Sequence, residues 1–292
     1  MSLQIDFLTL FPAMIEGPLA ESIPGRIIAK GVASIRTYDL REWGLGRHRS
    51  VDDTPYGGGA GMVLRPEPVA AALETIRRPG SVVILLDPAG ERFTQAIAHE
   101  LAGEAHLVFV CARYEGVDDR IRSLVDREIS IGDYVVSGGE LPALVVADAI
   151  LRLLPGAIDE ASTAEESFAA GLLEYPQYTR PAEFRGVGIP PVLVSGDHGA
   201  VRTWRLREAL RRTIDRRPDL MAAHEPSNEE RKLLAELARE AAGAREVDQT
   251  TGRALEAASA GAWPSDAVDE LDDELDDLGG ASDRRLDRES ER

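Results

Sequence analysis

The chain has 292 residues, of which 43% are hydrophobic, so two domains with a buried core are expected. Its single cysteine, Cys111, excludes a disulfide framework and suits a reducing compartment. No signal peptide or long apolar span is recognisable, so we expect a cytoplasmic protein without a membrane partner. Because Cys111 ends an apolar run, we predict a buried structural thiol and not a nucleophile.

The net charge of −18 argues against a nucleic-acid partner, but the charge is unevenly distributed. Residues 246–292 hold fifteen acidic and five basic residues, a net of −10, which leaves −8 for residues 1–245. Residues 200–217 instead carry seven arginines and two acids. A local arginine cluster matters more for phosphate contact than the overall charge. The acidic segment is poor in aromatic residues, which predicts a disordered tail.

The N-terminal half alternates between apolar runs and amphipathic segments. This pattern predicts an open α/β sheet with parallel strands. The strands are predicted at 3–10, 33–38 and 81–86, and the helices at 14–30, 67–76 and 94–101. We expect the first helix to be interrupted at Gly17-Pro18 and at Pro24-Gly25.

Residues 39–64 form a long polar segment that contains His48, Asp52, Asp53 and the run Gly57–Gly61. Loops of this length are usually functional or mobile, so both a surface excursion and a lid or RNA-contacting loop remain open. The histidine and the two aspartates allow a metal site. No second histidine or cysteine stands at ligand spacing, so we predict none.

Residues 107–156 are the best candidate for a ligand site. An apolar strand at 107–111 leads into the turn 112–116, a short helix at 117–125 and a strand at 127–130. A loop at 131–142 with three glycines then precedes a helix at 143–154. Glycine-bearing loops at the carboxyl ends of adjacent strands predict a ligand crevice.

The glycine spacing also limits which ligand this crevice can bind. Neither GxGxxG before a helix nor GxxxxGK[ST] occurs there, which excludes the dinucleotide fingerprint and the phosphate loop. A loop with many backbone polar groups and little positive charge favours a neutral or zwitterionic ligand with an adenine edge.

The C-terminal part is predicted to be a linker, a small helical domain and the tail. The acidic, Ser/Thr-rich stretch within 158–172 reads as an interdomain linker, which separates a domain at 1–157 from one at 173–245. A basic helix is predicted at 199–217 and a charged one at 229–242, capped by Ser227 or Asn228. The tail occupies 246–292.

Arginines of the basic helix can neutralise RNA phosphates, and arginine favours planar bidentate contacts. A solvated helix face is the alternative. We expect a core stripe of Val201, Trp204, Ala209 and Ile214 with the arginines outward. The candidate RNA-binding residues are Arg202, Arg205, Arg207, Arg211, Arg212, Arg216 and Arg217.

Three motifs carry a resemblance to a known family. RYEGVDDR from Arg113, SIGDYVVSGGELPA from Ser130 and LLEYPQYTRP from Leu172 resemble the bacterial tRNA (guanine-N1)-methyltransferases, TrmD, of the SPOUT class. The resemblance covers roughly residues 3–220. It implies an α/β SPOUT domain with a parallel sheet and a deep trefoil knot, plus a small helical C-terminal domain. It also implies a homodimer with the active site at the subunit interface.

The resemblance further implies the ligands. The methyl donor is S-adenosylmethionine, the substrate is the guanosine 3′ of the anticodon in a tRNA anticodon stem-loop, and no DNA partner is expected. Glu115 is placed near the donor's amino group or a magnesium ion, whereas without the resemblance a carboxylate that caps the turn is the alternative. Ala112 departs from a family glycine and narrows the pocket slightly or is accommodated. The cofactor-binding residues implied are Leu85, Leu86, Asp87, Pro88, Ala112, Tyr114, Glu115, Gly116, Ser130, Ile131, Gly132, Asp133, Tyr134, Val135, Val136, Gly138, Gly139 and Pro142.

Methylation at N1 of guanine requires a base to remove the N1 proton and a positive group to stabilise the charge that spreads to O6. The resemblance assigns the positive group to Arg152. On pattern alone, a surface pair with Asp148 four residues earlier is the simpler interpretation.

The base is assigned to the linker, where the family's Asp-Ser-Phe is replaced by Glu166-Ser167-Phe168. The extra methylene leaves three outcomes open: a working Glu166, a role shifted to Glu165, or reduced activity. We favour Glu166 over Asp159 and Glu160, which precede the matching segment. The alternatives to this enzyme are a non-catalytic RNA-binding or methyl-donor-sensing relative, and a SPOUT methyltransferase acting on another RNA.

Overall fold

The computed structural model describes residues 2–158 and 166–243. The chain divides into two compact units, Met1–Thr163 and Ala164–Arg292. Within the described ranges, no helix combines the length and the apolar character needed to cross a membrane.

The first unit is built around a five-stranded parallel sheet. Its strands, in chain order, are β1 (Leu3–Thr9), β2 (Ala33–Asp39), β5 (Ser81–Arg92), β6 (His106–Cys111) and β7 (Arg127–Ser130). The short strands β3 (Asp52–Asp53) and β4 (Val63–Leu64) form a separate pair. The sheet order is β2-β1-β6-β5-β7, and each neighbouring pair is parallel. The central strand β6 is buried at every residue, as expected for a sheet covered on both faces.

Helices cover both faces of this sheet. They are α1 (Pro12–Leu19), α2 (Ser22–Ala29), α3 (Pro66–Ile76), α4 (Gln95–Ala102) and α5 (Glu140–Leu151). One core packs α1, α2, α4 and α5 against residues such as Phe7 and Phe109, whose ring centres are 5.3 Å apart. The opposite core packs α3 and two 3₁₀ segments, Leu40–Trp43 and Asp119–Leu124. The predicted α/β class with a parallel sheet is therefore confirmed.

Several predicted boundaries are wrong. The strand expected to end at Leu86 continues to Arg92, because after a register shift it pairs again with β7. The helix expected from Ala143 begins at Glu140, and the one expected at 117–125 is a 3₁₀ segment. The helix expected at 14–30 breaks between α1 and α2, whereas Gly17-Pro18 lies within α1 and Pro24-Gly25 within α2. Pro24 is tolerated because it lies in the first turn of α2, where a proline removes no helical hydrogen bond.

The long polar segment 39–64 is more ordered than the sequence predicts. Strands β3 and β4 form a two-residue antiparallel ladder, and the segment is tied to the turn after β6. Leu64 N donates to Gly116 O at 3.0 Å, and Glu115 N donates to Met62 O at 3.0 Å. The glycine run therefore lies beside the turn predicted to bind a ligand.

A buried polar chain joins three strands at the amino edge of the sheet. Ser81 Oγ lies 2.7 Å from His106 Nδ1, and His106 Nε2 lies 3.0 Å from Asp6 Oδ2. Ser81 Oγ also accepts the N–H of Arg78, and Asp6 Oδ1 accepts from Gln4. With its members buried, this chain satisfies polar groups that would otherwise be costly inside the protein.

The second unit contains helices α6 (His198–Arg216), α7 (Pro218–Ala223) and α8 (Asn228–Gly243), with a short hairpin of β8 (Glu183–Phe184) and β9 (Val187–Gly188). Ser227 caps α8: its Oγ accepts from Glu230 N, and the Glu230 carboxylate accepts from Ser227 N. Of the expected stripe on α6, Ala209 and Ile214 are buried and Val201 and Trp204 only partly so. Leu210, which was missed, is fully buried.

Candidate active site

Three segments at one edge of the sheet line one pocket: residues 86–88, where the pairing of β5 with β7 shifts register, the turn after β6, and the end of β7 with the loop that follows it. Sixteen of the eighteen predicted cofactor-binding residues lie along it: Leu86, Asp87, Pro88, Ala112, Tyr114, Glu115, Gly116, Ser130, Ile131, Gly132, Tyr134, Val135, Val136, Gly138, Gly139 and Pro142. Parallel strands bring their carboxyl ends to one edge, which is why three segments distant in sequence converge.

Two predicted residues lie outside this lining, and three others lie within it. Leu85 is fully buried in the core under α3, because alternate strand residues point to opposite faces. Asp133 is exposed. The lining also includes Arg113, Ile129 and Ser137. Arg113 opens the RYEG motif, so the sequence did contain a signal for it.

Two glycines allow the loop after β7 to approach the end of β6. A Cβ on Gly139 would lie 2.8 Å from both Ala112 N and Cys111 Cα, and one on Gly138 would lie 2.3 Å from Arg113 Nε. Gly139 N donates to Ala112 O at 2.7 Å. The two pocket walls are therefore in direct backbone contact at a point where any larger residue would separate them.

Behind this contact lies a buried ion pair. Glu140, the first residue of α5, is fully buried, and its Oε2 accepts from Arg113 Nε at 2.8 Å. Its Oε1 accepts from Thr9 Oγ1 at 2.7 Å, at the end of β1. Arg113 also donates to Ser137 O at 3.0 Å and lies 4.6 Å from the centre of the Phe11 ring. The network joins β1, the turn after β6 and α5.

The pocket also contains two acidic side chains. Asp87 is paired with Arg122 at 3.3 Å, and the side chain of Glu115 lies against Gly61 of the glycine run. Burial, with a smaller effect from Asp52, raises the pKa of Tyr114 above the ordinary tyrosine value. Cys111 is buried as predicted, and burial raises its thiol pKa well above the ordinary value.

The pocket suits a ligand with an apolar ring and a cationic centre. Leu86, Ile129 and Pro142 supply apolar wall, the glycines bring backbone groups close, and carboxylates supply negative charge. Among the described residues there is no group of three or more His, Cys, Asp or Glu that could hold a metal ion.

Arg152 is the C-cap residue of α5, half-buried, and its backbone N donates to Asp148 O at 3.1 Å. The twelve residues of α5 run from Glu140 at the pocket to Leu151, just before Arg152, a length of about 18 Å.

Glu166 lies in the second unit and is half-buried. It lines a cavity of mixed polar and apolar character with Tyr175 and Arg205, and the Arg205 guanidinium lies 4.7 Å from the centre of the Tyr175 ring. Beside it, Ser167 Oγ accepts from Glu174 N at 3.0 Å. The competing acids Asp159, Glu160 and Glu165 lie outside the described residues.

The predicted RNA-binding arginines lie along α6 and just after it, and several of them have carboxylate partners. Arg202 pairs with Glu229 at 3.1 Å and Arg217 with Asp219 at 2.7 Å, while Arg207 pairs with Glu240 and Arg211 with Glu208. Arg212 and Arg216 are exposed, and Arg212 donates to Glu174 O at 3.4 Å. These pairs reduce the positive charge that the helix presents.

Comparison with known proteins gives one consistent answer. Residues 3–223 match the family model described as tRNA (Guanine-1)-methyltransferase TrmD. The chain is 56% identical over 224 residues to the tRNA (guanine-N(1)-)-methyltransferase of Chloroflexus aggregans, covering 75% of this chain and 88% of that protein. It is 49% identical over 239 residues to the enzyme of that name from Dictyoglomus turgidum (82% and 98%) and 52% over 242 residues to that of Geobacillus kaustophilus (82% and 99%).

Proposed function

The chain belongs to the tRNA (guanine-1)-methyltransferase family, TrmD, and on this premise we propose that it methylates N1 of a guanosine in tRNA with S-adenosylmethionine as methyl donor. The observation that carries the proposal is the pocket formed by residues 86–88 of β5 and by the segments after β6 and β7. S-adenosylmethionine, when bound, supplies an activated methyl group on a sulfonium. The apolar walls, close backbone and carboxylates of the pocket fit such a ligand.

The chemistry assigned to the protein is proton removal and charge stabilisation. We propose that the Glu166 carboxylate accepts the N1 proton of guanine, because N1 of the neutral base has no free lone pair for the methyl group. We assign to Arg152 the stabilisation of the negative charge that spreads to O6. Glutamate in place of the family's aspartate lengthens the side chain by one methylene, and half-burial of Glu166 in its cavity supports a defined position for it.

The finer parts of the proposal concern the substrate and the assembly. We propose that the target is the guanosine immediately 3′ of the anticodon, position 37, and that α6 contacts phosphates of the anticodon stem-loop. The family resemblance further supports a knotted pocket, a separate helical domain and a cytoplasmic homodimer in which the linker acid of one subunit serves the other. The contact of Gly139 with Ala112, which carries the chain after β7 past β5 to β6, is consistent with such a knot.

The test is methyl transfer from labelled S-adenosylmethionine to unmodified tRNA transcripts. Transcripts with guanosine or adenosine 3′ of the anticodon are compared, with wild type and Glu166→Gln. We expect transfer to the guanosine transcript alone and its loss in the variant. Transfer that survives the substitution would support the methyltransferase activity and would show that Glu166 is not the base. No transfer to either transcript would favour a non-catalytic RNA-binding relative or another RNA substrate. Repeating the assay with a chelator tests a magnesium requirement.

A further inference from the structure

We propose that Glu140 sets the electrostatic character of the donor pocket by neutralising Arg113, so that a sulfonium cation is tolerated beside an arginine. The inference rests on the proposed function, which supplies the cationic donor. It assigns Glu140 a role as a positioning and charge-balancing residue, distinct from the residues that touch the ligand.

Arg113 is the charged partner of this buried carboxylate. Glu140 has no exposed surface, and the Arg113 side chain is 15% exposed and lines the pocket. Both Glu140 oxygens are used, one by Arg113 at 2.8 Å and the other by Thr9 at 2.7 Å. A charge buried this deeply persists in proteins only when it is paired.

Arg113 has further contacts that hold it at the pocket wall without Glu140. Its guanidinium donates to Ser137 O at 3.0 Å and to Met14 Sδ at 3.2 Å, and it lies over the Phe11 ring. Removing the Glu140 charge therefore leaves the cation in place and uncompensated. The positive end of the α5 dipole, which Glu140 also offsets as the first residue of the helix, adds to the effect.

The other charges of the pocket do not compensate for this change. Asp87 is already paired with Arg122 at 3.3 Å, which leaves Glu115 as the remaining acidic lining residue. S-adenosylmethionine carries one positive charge more than its product S-adenosylhomocysteine, and that charge is on the sulfur. For unit charges on the order of 10 Å apart in an effective dielectric of about 20, with salt screening, an uncompensated Arg113 changes the ratio of the two affinities by about three- to tenfold.

The experiment measures dissociation constants of the full chain for both ligands by calorimetry. Glu140→Gln keeps the shape of the side chain. In this variant we expect the affinity for S-adenosylmethionine to fall about three- to tenfold more than the affinity for S-adenosylhomocysteine. The matched control is Thr9→Val. It removes the other hydrogen bond to the same carboxylate without changing any charge, so it should alter both affinities by one factor and leave their ratio unchanged.

Two further variants keep the proposal open to refutation. Glu140→Gln combined with Arg113→Gln removes both charges and should return the ratio to that of wild type. If Glu140→Gln alone does not fold, Arg113→Gln tests the same charge effect. Loss of the arginine cation must not lower the affinity for S-adenosylmethionine relative to the affinity for S-adenosylhomocysteine. An unchanged ratio in folded Glu140→Gln, or an equal change in Thr9→Val, overturns the proposal. Wild type that binds neither ligand refutes the proposed function instead.

Discussion

Replacing Gly139 by alanine should disrupt the contact between the two pocket walls. Gly139 has φ −74° and ψ −8°, an ordinary helical conformation, so alanine meets no backbone strain and only the missing space matters. The new Cβ would stand 2.8 Å from Ala112 N and Cys111 Cα. Both are backbone atoms, which must move apart by about 0.6 Å to reach ordinary van der Waals contact.

Overpacking of this kind costs about 2 kcal/mol, which corresponds to a fall in Tm of about 4–8 °C for a unit of this size. The moved residues line the pocket, so affinity for S-adenosylhomocysteine should fall as well. Thermal unfolding and calorimetry measure the two effects. Gly17→Ala is the matched control: Gly17 lies inside α1 with nothing within 4 Å of the added Cβ, and alanine there should stabilise by about 0.5–1 kcal/mol. Wild-type Tm and affinity in Gly139→Ala would refute the steric reasoning.

Three other predictions concern turnover and RNA binding. Arg152→Ala should abolish methyl transfer while donor affinity measured by calorimetry stays nearly intact, and unchanged turnover would remove Arg152 from the mechanism. Replacing Arg211 and Arg212 by alanine should weaken tRNA binding. It should also lower the magnitude of the slope of log affinity against log salt concentration by about two, because two phosphate contacts are lost. An unchanged slope would show that these two arginines do not contact the RNA. Deleting residues 246–292 should leave turnover at the wild-type level, and a large loss would contradict the tail interpretation.

Local patterns predicted the strands of the sheet well. The strand at 127–130 has the bounds that the sequence predicts. The continuation of β5 through Pro88 and Gly90 was missed. Those residues indicate a turn locally, and only the pairing of Glu91 and Arg92 with β7, which is distant in sequence, extends the strand.

The site was predicted in its ligand-facing loops but not in its supports. Glycine spacing and motif resemblance led to the residues that line the pocket, since both are visible in one stretch of sequence. The pairing of Glu140 with Thr9 and Arg113 joins positions 131 and 27 residues apart and has no local signal. Likewise, the pairing of Arg207 with Glu240 on α8 joins distant positions and has no local signal. The pairing of Arg211 with Glu208 has i,i+3 spacing on a predicted helix, a local signal that was missed.

The burial of Cys111 makes this chain well suited to site-specific chemical labelling. The chain has one cysteine, that residue is 2% exposed, and its raised pKa keeps the thiolate fraction low. A maleimide dye should therefore react slowly with the native protein. Tyr56, next to the glycine run, is fully exposed, so Tyr56→Cys introduces a single accessible thiol there. A fluorophore at that position would test whether the surroundings of the glycine run change when tRNA or donor is added, without removal of the native cysteine.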